Sequence, residues 1–204
     1  MNDLHNPTPH LNPLPVASRW SALRTALRHR WMDDAAARRL LAGGVGERLR
    51  QRVAASEQRH TGQLRLCVEA GLPVSYLWRH FWQRLPLPVV VRQRAVMLFG
   101  KLRVWDTERN NGVLIYLLLA GRTIEIVADR GLNAQVSSVA WAAVAERLGS
   151  ALRAGRFEDG MGQALDEVSA LLTAHFPRGT AADGDQAAGP DSARNELPDE
   201  PVSL

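Results

Sequence analysis

The sequence "GVLIYLLLAGRTIEIVA", residues 112–128, contains two apolar runs on either side of a turn at Gly121. Both runs are rich in β-branched and leucine residues, which is typical of buried strands. The turn is too short for a crossover connection, so the two strands are predicted to pair antiparallel. Residues 113–119 are apolar at odd and even positions alike, and this predicts that helices cover both faces of the sheet.

A strand and a helix are predicted before this hairpin. Residues 62–70, "GQLRLCVEA", alternate well enough for a first strand, and residues 88–105 show a helical apolar face. That face contains Val91, Ala95, Leu98, Leu102 and Trp105. A strand, a helix and a second strand in this order indicate a right-handed crossover to a parallel neighbour.

Helical patterns flank these elements on both sides. One runs from Asp34 toward Arg59, with a break expected at "AGGVG", residues 42–46. After the hairpin, Ser137 or Ser138 is a candidate N-cap for another helix. The apolar faces of the last two helices are Trp141, Val144, Leu148 and Leu152 in one, and Met161, Leu165, Val168, Leu172 and Phe176 in the other. The element order predicts an α/β domain with a small mixed central sheet sandwiched by helices.

The two ends of the chain differ from this domain in composition. Residues 1–17 and 178–204 lack a periodic apolar face and are predicted to be disordered, the second as an acidic tail, whereas residues 33–177 form the domain. Residues 18–32 predict an extra N-terminal basic amphipathic helix. Its apolar and basic positions include Trp20, Trp31, Arg24 and Arg28.

Composition limits the function classes without choosing one. The chain has 204 residues, 25 basic against 21 acidic, and a net charge of +4. A mild basic excess suits an anionic membrane surface or an acidic partner as well as nucleic acid. The single cysteine, Cys67, excludes an intramolecular disulfide framework and favours a reducing compartment. No apolar run is long enough to span a bilayer, so we expect a cytoplasmic protein. If the protein contacts a membrane, we expect peripheral attachment to the inner membrane.

Three short motifs resemble those of the TPM domain family. They are the Asn-Gly before the central strand, the Gly-Leu after the hairpin, and the Arg-x-Gly-x-Phe-x-x-Gly joint between the last two helices, all within roughly residues 56–177. The family is named for a thylakoid lumen protein, a photosystem repair protein and a nematode receptor modulator. The resemblance implies an α/β sandwich around a mixed sheet, in agreement with the periodicity. It also implies acid phosphatase, calcium-binding or auxiliary roles, many of them beside a membrane.

Polar residues gather where strand two begins and strand three ends, and we call this group the polar collar. It consists of Asp106, Glu108, Asn110, Asn111 and Asp129. Oxygen ligands of this kind are what Ca²⁺ and Mg²⁺ prefer, and a bound ion could polarise a phosphate and activate a water. The alternative is ordinary turn chemistry, in which Asn-Gly and Asp-Arg-Gly shape the backbone and the charges are solvated.

Departures from the family pattern favour the turn interpretation. Many members have Asp at the positions of Asn110 and Ser138, so two anionic ligands are missing here. Asp129 adds an acid where relatives often have Gly, which leaves an altered site as an alternative. We therefore expect that no cofactor is required, with Ca or Mg at Asp106, Glu108, Asn110 and Asp129 as the second hypothesis.

The tryptophans outside the periodic core are the most unusual feature of the sequence. Residues 72–88 combine Arg and His with the aromatic residues Tyr76, Trp78, Phe81 and Trp82 between two Pro-bearing turns. Amphipathic rings beside Arg suit a bilayer interface or a protein contact. The alternative is that this segment and residues 18–32 pack on the domain and cover a sheet edge.

These patterns lead to one hypothesis and one rival. The hypothesis is an accessory protein-binding module at or near the cytoplasmic membrane face, whose partner is a membrane-associated protein or an anionic membrane surface. Its contact residues would be the aromatic residues of residues 18–32 and 72–88, with Arg24 and Arg28. Nucleic acid is not expected, since no recognition module is present. The rival is a metal-dependent, acid-phosphatase-like hydrolase, for which the sequence assigns no catalytic residue.

Overall fold

The structure, a computed structural model, describes residues 34–178 and 201–203. The predictions for residues 1–17 and for the basic amphipathic helix of residues 18–32 lie outside the described residues. Trp20, Arg24, Arg28 and Trp31 therefore keep the status of sequence predictions.

The described residues form seven helices and four strands. In chain order these are α1 (Asp34–Leu41), α2 (Val45–Glu57), β1 (Gln63–Glu69), α3 (Val74–Trp82), α4 (Leu87–Lys101), β2 (Gly112–Leu118), β3 (Thr123–Ala128), α5 (Arg130–Asn133), α6 (Ser138–Arg153), α7 (Phe157–His175) and β4 (Val202–Ser203). No described helix is both long and apolar enough to cross a membrane.

The sheet has the strand order β3-β2-β1-β4. β1 and β2 pair in parallel, from Gln63 opposite Gly112 to Glu69 opposite Leu118, and β2 and β3 pair antiparallel. Both pairings confirm the sequence predictions. The mixed sheet arises because a helical crossover joins β1 to β2, whereas a tight turn joins β2 to β3.

Helices cover both faces of the sheet, as predicted from the central strand, whose residues are apolar on both of its faces. Every residue of β1 and β2 is buried. On one face α2, α6 and α7 pack against Leu64, Leu66, Val113 and Ile115. On the other face α4 and part of α3 pack against Leu114, Tyr116 and Leu118. The predicted sandwich is confirmed, and its core extends along both sides of β2.

Local boundaries follow recognisable signals. The expected break between the first helices occurs at Gly43 and Gly44, whose φ angles of 64° and 81° suit glycine. Ser137 is the N-cap of α6, and its side chain accepts a hydrogen bond from Ala140 N. One prediction was wrong, because α4 ends at Lys101 and Arg103 turns left-handed at φ 56°. Trp105 therefore leaves the helix face and is 52% exposed.

The end of the acidic tail also differs from its prediction. The tail was predicted to be disordered throughout, yet Val202 and Ser203 pair in parallel with Cys67 and Val68 of β1. Two residues are too few for an alternating pattern to show in the sequence. They form a strand here because β1 would otherwise leave backbone hydrogen-bonding groups open at the sheet edge.

Candidate functional site

Backbone hydrogen bonds bring the two ends of the β2–β3 hairpin together at the polar collar. Asp129 N donates to Gly112 O at 2.9 Å, and Gly131 N donates to Asn110 O at 3.0 Å. Gly112 and Gly131 each lie too close to a backbone oxygen to carry a Cβ, and at Gly131 that oxygen belongs to the opposite end of the hairpin. A Cβ on Gly112 would lie 1.9 Å from Val104 O, and one on Gly131 would lie 2.6 Å from Asn110 O. The expected closeness of the two strand ends is confirmed.

The two asparagines of the collar hold the loop that leads into β2. Asn110 adopts a left-handed φ of 51°, which Asn tolerates better than most residues. Its Oδ1 accepts a hydrogen bond from Arg130 Nε at 3.0 Å. Asn111 is buried, and its Nδ2 donates to Thr61 Oγ1 at 3.3 Å. Both amides thus contact the protein itself, as the turn interpretation expects.

Asp129 is the one buried acid of the collar, with 4% of its surface exposed. Its Oδ1 accepts from Arg130 N at 2.7 Å and caps the short α5. Its Oδ2 is buried without a hydrogen-bond partner among the described residues. Burial raises the pKa of this carboxyl above its ordinary value. Burial thus disfavours the charged form of this side chain.

The other two acids of the collar do not join Asp129. Asp106 and Glu108 are exposed in the loop between α4 and β2. Across residues 34–178 and 201–203, no three His, Cys, Asp or Glu side chains are grouped in a way that could hold a metal ion. Asp106, Glu108 and Asp129 are therefore not grouped as acidic ligands of one ion in this part of the chain.

A second candidate site is the apolar face of α3, which we call the aromatic patch. It consists of Val74, Trp78, Phe81 and Trp82, which are 70%, 60%, 37% and 61% exposed. The spacing places them on one side of the helix. The ring centroids of Trp78 and Trp82 lie 5.0 Å apart, and those of Phe81 and Trp82 lie 6.0 Å apart. The three rings form one continuous surface.

The opposite side of α3 anchors the helix to the domain. Tyr76 and His80, one turn apart, are 9% and 3% exposed, and His80 Nδ1 donates to Leu85 O at 2.6 Å. The guanidinium of Arg94 lies 5.4 Å from the centre of the Tyr76 ring. The prediction that Tyr76 belongs to a contact surface was therefore wrong, because the rotation of α3 turns this ring inward.

A buried polar cluster under α3 was missed at the sequence level. Tyr116 OH donates to Glu69 Oε2 at 2.6 Å, and Arg94 Nε donates to the same oxygen at 3.0 Å. Arg94 Nη2 also donates to Glu69 Oε1. Glu69, Arg94 and Tyr116 are 3%, 9% and 0% exposed. The one sequence signal was an acid inside the apolar run "LCVEA". Through these hydrogen bonds Arg94 connects α4 to the sheet, and the same guanidinium packs against the Tyr76 ring.

Cys67 of β1 lies beside this cluster and is fully buried. Burial raises the pKa of its thiol to about 12. A thiol of this kind carries almost no thiolate at neutral pH and is a poor nucleophile.

Comparisons with known proteins agree with this architecture. A family model described as the TPM domain matches residues 37–171. Among solved structures, the NMR structure of the BA42 protein from the psychrophilic bacterium Bizionia argentinensis is similar, with a TM-score of 0.61 and 21% sequence identity. The match covers 79% of this chain and 94% of that one. At that identity the likeness concerns the fold alone. No curated protein matches the chain.

Proposed function

The chain belongs to the TPM domain family, and we propose that it is an accessory protein-binding module working at or near the cytoplasmic face of the membrane. The aromatic patch on α3 is its contact surface. One observation carries the proposal: two tryptophans, Trp78 and Trp82, are 60% and 61% exposed side by side on a helix whose other face is buried.

Apolar area supports this use of the patch. A large aromatic side chain buries roughly 150–250 Å² when it is covered. Three adjoining rings with Val74 thus present several hundred Å² of contact area, and contiguous patches of that size on soluble proteins mark interaction sites. Tryptophan is also enriched among the residues that contribute most to protein interfaces and at membrane surfaces.

The charge around the patch supports an acidic or membrane-adjacent partner. No acidic residue occurs between Glu69 and Asp106, whereas this stretch contains five arginines and one lysine. Arg79 and Arg84 are exposed, and the Arg79 guanidinium lies 5.1 Å from the centre of the Tyr76 ring. Near an anionic membrane each such cation contributes about 1 kcal/mol, less after screening by salt. Two of them give reversible attraction, so a protein contact is needed for lasting attachment.

Vesicle flotation tests the membrane part of the proposal. Full-length protein, a Trp78→Ala/Trp82→Ala variant and a Trp105→Ala control are floated with native membranes and with anionic or neutral lipid vesicles, at low and near-physiological salt. Trp105 is a matched control because it is 52% exposed outside the patch. We expect wild type and the control to float with native membranes, and the double variant to stay at the bottom.

Comparing lipid vesicles with native membranes distinguishes attachment to lipid from attachment to a membrane protein. Flotation on anionic vesicles that is lost at higher salt indicates direct lipid contact, whereas flotation on native membranes alone indicates a protein partner. The proposal fails if full-length protein floats with neither, or if the double variant behaves like wild type.

One observation favours the phosphatase rival, namely that Oδ2 of Asp129 is buried without a hydrogen-bond partner in residues 34–178 and 201–203. A buried carboxyl group whose pKa is raised is suited to general acid or base chemistry. Phosphate release from a generic phosphomonoester by the full-length protein, stimulated by Ca²⁺ or Mg²⁺ and abolished by Asp129→Asn in a folded variant, would support the rival. The present proposal expects no such activity, because the other two acids of the collar are exposed and lie apart from Asp129.

A further inference from the structure

An open groove of about 460 Å³ lies at the turn of the β2–β3 hairpin, away from the polar collar at the hairpin's other end. We call it the hairpin groove. Residues from α1, the hairpin, α6 and the start of α7 line it. Its apolar lining comprises Leu40, Leu117, Leu119, Ile124, Leu152 and Phe157.

The groove is mainly apolar, and the residues that the structure describes leave it open. Leu117 forms a floor that is 2% exposed, and Ile124, Leu152 and Phe157 pack on the cluster around it while staying only partly buried. Ligand pockets in proteins typically have about 300–1,000 Å³ and a mainly apolar lining with few polar groups. The hairpin groove falls within that range and has room for an aliphatic chain.

Two arginines supply the polar groups at its mouth. Arg122 lies in the hairpin turn with a left-handed φ of 49°, a conformation that costs free energy in any residue with a Cβ. Arg153 lies at the end of α6, where its Nη2 donates to Ser150 Oγ at 2.9 Å. Neither guanidinium forms an ion pair with any residue that the structure describes. Within the described part of the chain, the mouth therefore carries two positive charges that form no ion pair.

We propose that the hairpin groove binds a single-chain amphiphile with an anionic head, of the long-chain fatty acid class. The aliphatic chain lies against Ile124, Leu152 and Phe157, and the carboxylate meets Arg122 and Arg153. Guanidinium groups match carboxylates in charge and in hydrogen-bonding geometry. This inference does not depend on the proposed contact surface on α3.

Two segments of the chain itself, residues 18–32 and 179–200, match the charge and the apolar lining of the groove less well than such a ligand does. Residues 18–32 contain four arginines and no acid, so their charge matches that of the mouth instead of opposing it. Residues 179–200 are acidic but contain a single large apolar side chain, Leu197, which leaves most of the apolar lining uncovered. An amphiphile with one anionic head satisfies both parts of the groove.

Calorimetric titration of the full-length protein with saturated fatty acids, each below its critical micelle concentration, tests this proposal. In a series from octanoate to myristate, we expect each added methylene to strengthen binding about three- to fourfold until the groove is full. Dodecanol, which has no charge, should bind at least about tenfold more weakly than laurate.

Variants locate the binding. Arg122→Gln/Arg153→Gln should weaken laurate binding at least about tenfold and leave dodecanol binding unchanged. Gly149→Leu places a side chain in the groove, because a Cβ at Gly149 would lie 3.3 Å from Arg153 Nη1 and 3.5 Å from Ile124 Cδ1, and it should abolish binding of both compounds. Arg103→Gln is the matched control, since Arg103 is also an exposed, left-handed arginine but does not line the groove.

The variant Trp78→Ala/Trp82→Ala excludes adsorption to the aromatic patch and should bind laurate like wild type. The proposal is overturned if full-length protein binds no fatty acid, or if laurate and dodecanol bind equally. It is also overturned if Gly149→Leu leaves binding intact, or if loss of the two tryptophans removes it.

Discussion

Glu69 brings a carboxylate into the core at the end of β1, where its side chain is 4% exposed. A buried charge of this kind is tolerated only when it is paired and hydrogen-bonded. Arg94 supplies the opposite charge, and Tyr116 donates a further hydrogen bond at 2.6 Å. The arrangement links a residue of the sheet to the helix that supports α3.

Replacing Glu69 should therefore be costly. Glu69→Gln removes the negative charge and leaves the Arg94 guanidinium buried without its counter-ion, which costs about 3 kcal/mol or more in the free energy of unfolding. Urea denaturation followed by circular dichroism measures this loss. The matched control is Glu47→Gln, which removes an exposed ion pair with Arg50 and should barely move the midpoint. Equal effects of the two substitutions would contradict the structural role of the cluster.

His60 is a second buried polar residue, with none of its surface exposed. Its Nδ1 lies 3.1 Å from Gly62 O and its Nε2 lies 2.9 Å from Ser56 Oγ. Because a carbonyl only accepts, Nδ1 carries the hydrogen, and neutral Nε2 accepts from the Ser56 hydroxyl. Burial lowers the pKa of His60 to about 4.

This lowered pKa predicts a pH dependence of stability. Below about pH 6.5 the unfolded chain takes up a proton on His60, whereas the folded protein does so only near pH 4. The free energy of unfolding should fall across this window as the pH drops, by up to about 1.4 kcal/mol per pH unit from this residue. Urea denaturation between pH 7.5 and 4.5 should show a flatter profile for His60→Asn, which cannot take up the proton. Parallel profiles would refute this assignment.

At the scale of elements, the apolar periodicity of the sequence was sufficient to locate a helix or strand wherever that element is long and buried on a defined face. β1, β2, β3, α6 and α7 lie close to their predicted positions because their apolar spacing matches one secondary structure. α3 was not assigned from the sequence, since its aromatic residues occur on both sides of the helix and prolines flank it. β4 is too short to carry any pattern.

Pairing of β4 with the sheet edge has a chemical consequence for Cys67. Val202 is paired with Cys67 and packs on the same cluster, so β4 contributes to the cover of this thiol. Deleting residues 202–204 should increase the rate of Cys67 modification by a thiol reagent such as DTNB several-fold, because the local edge opens more readily. The control Val202→Ile keeps the strand and should react like wild type. An unchanged rate after the deletion would show that β4 does not protect the thiol.

At the scale of the whole molecule, the sequence predicted where the polar collar lies. It did not predict which of the collar side chains are hydrogen-bonded to other parts of the protein. Antiparallel pairing of β2 and β3 necessarily brings Asn110 and Asp129 to the same end of the hairpin. Whether these groups are free depends on partners that no local pattern specifies. Arg130 contacts Asn110, and Thr61, fifty residues away, contacts Asn111. Their hydrogen bonds use the amides that a ligand would need.

Exposure of the aromatic patch also depends on contacts between residues that are distant in sequence. The sequence placed four aromatic residues in one segment, but only the packing of α3 on α4 separates buried Tyr76 from the exposed rings. The acid-free stretch that contains α3 runs from residue 70 to residue 105 and ends directly before Asp106, the first acid of the collar. α3 lies within this acid-free stretch, and we assign its exposed face to contact.

Site-specific photocrosslinking in the protein's native cells tests the contact surface most directly. Benzoylphenylalanine replaces Trp78 in the aromatic patch or, as the matched control, Trp105, which is exposed outside it. We expect a specific adduct with a membrane-fraction protein from position 78, lost when Trp82→Ala is added, and none from position 105. No adduct from position 78, or the same adduct from both positions, would contradict the assignment of α3 as the contact surface.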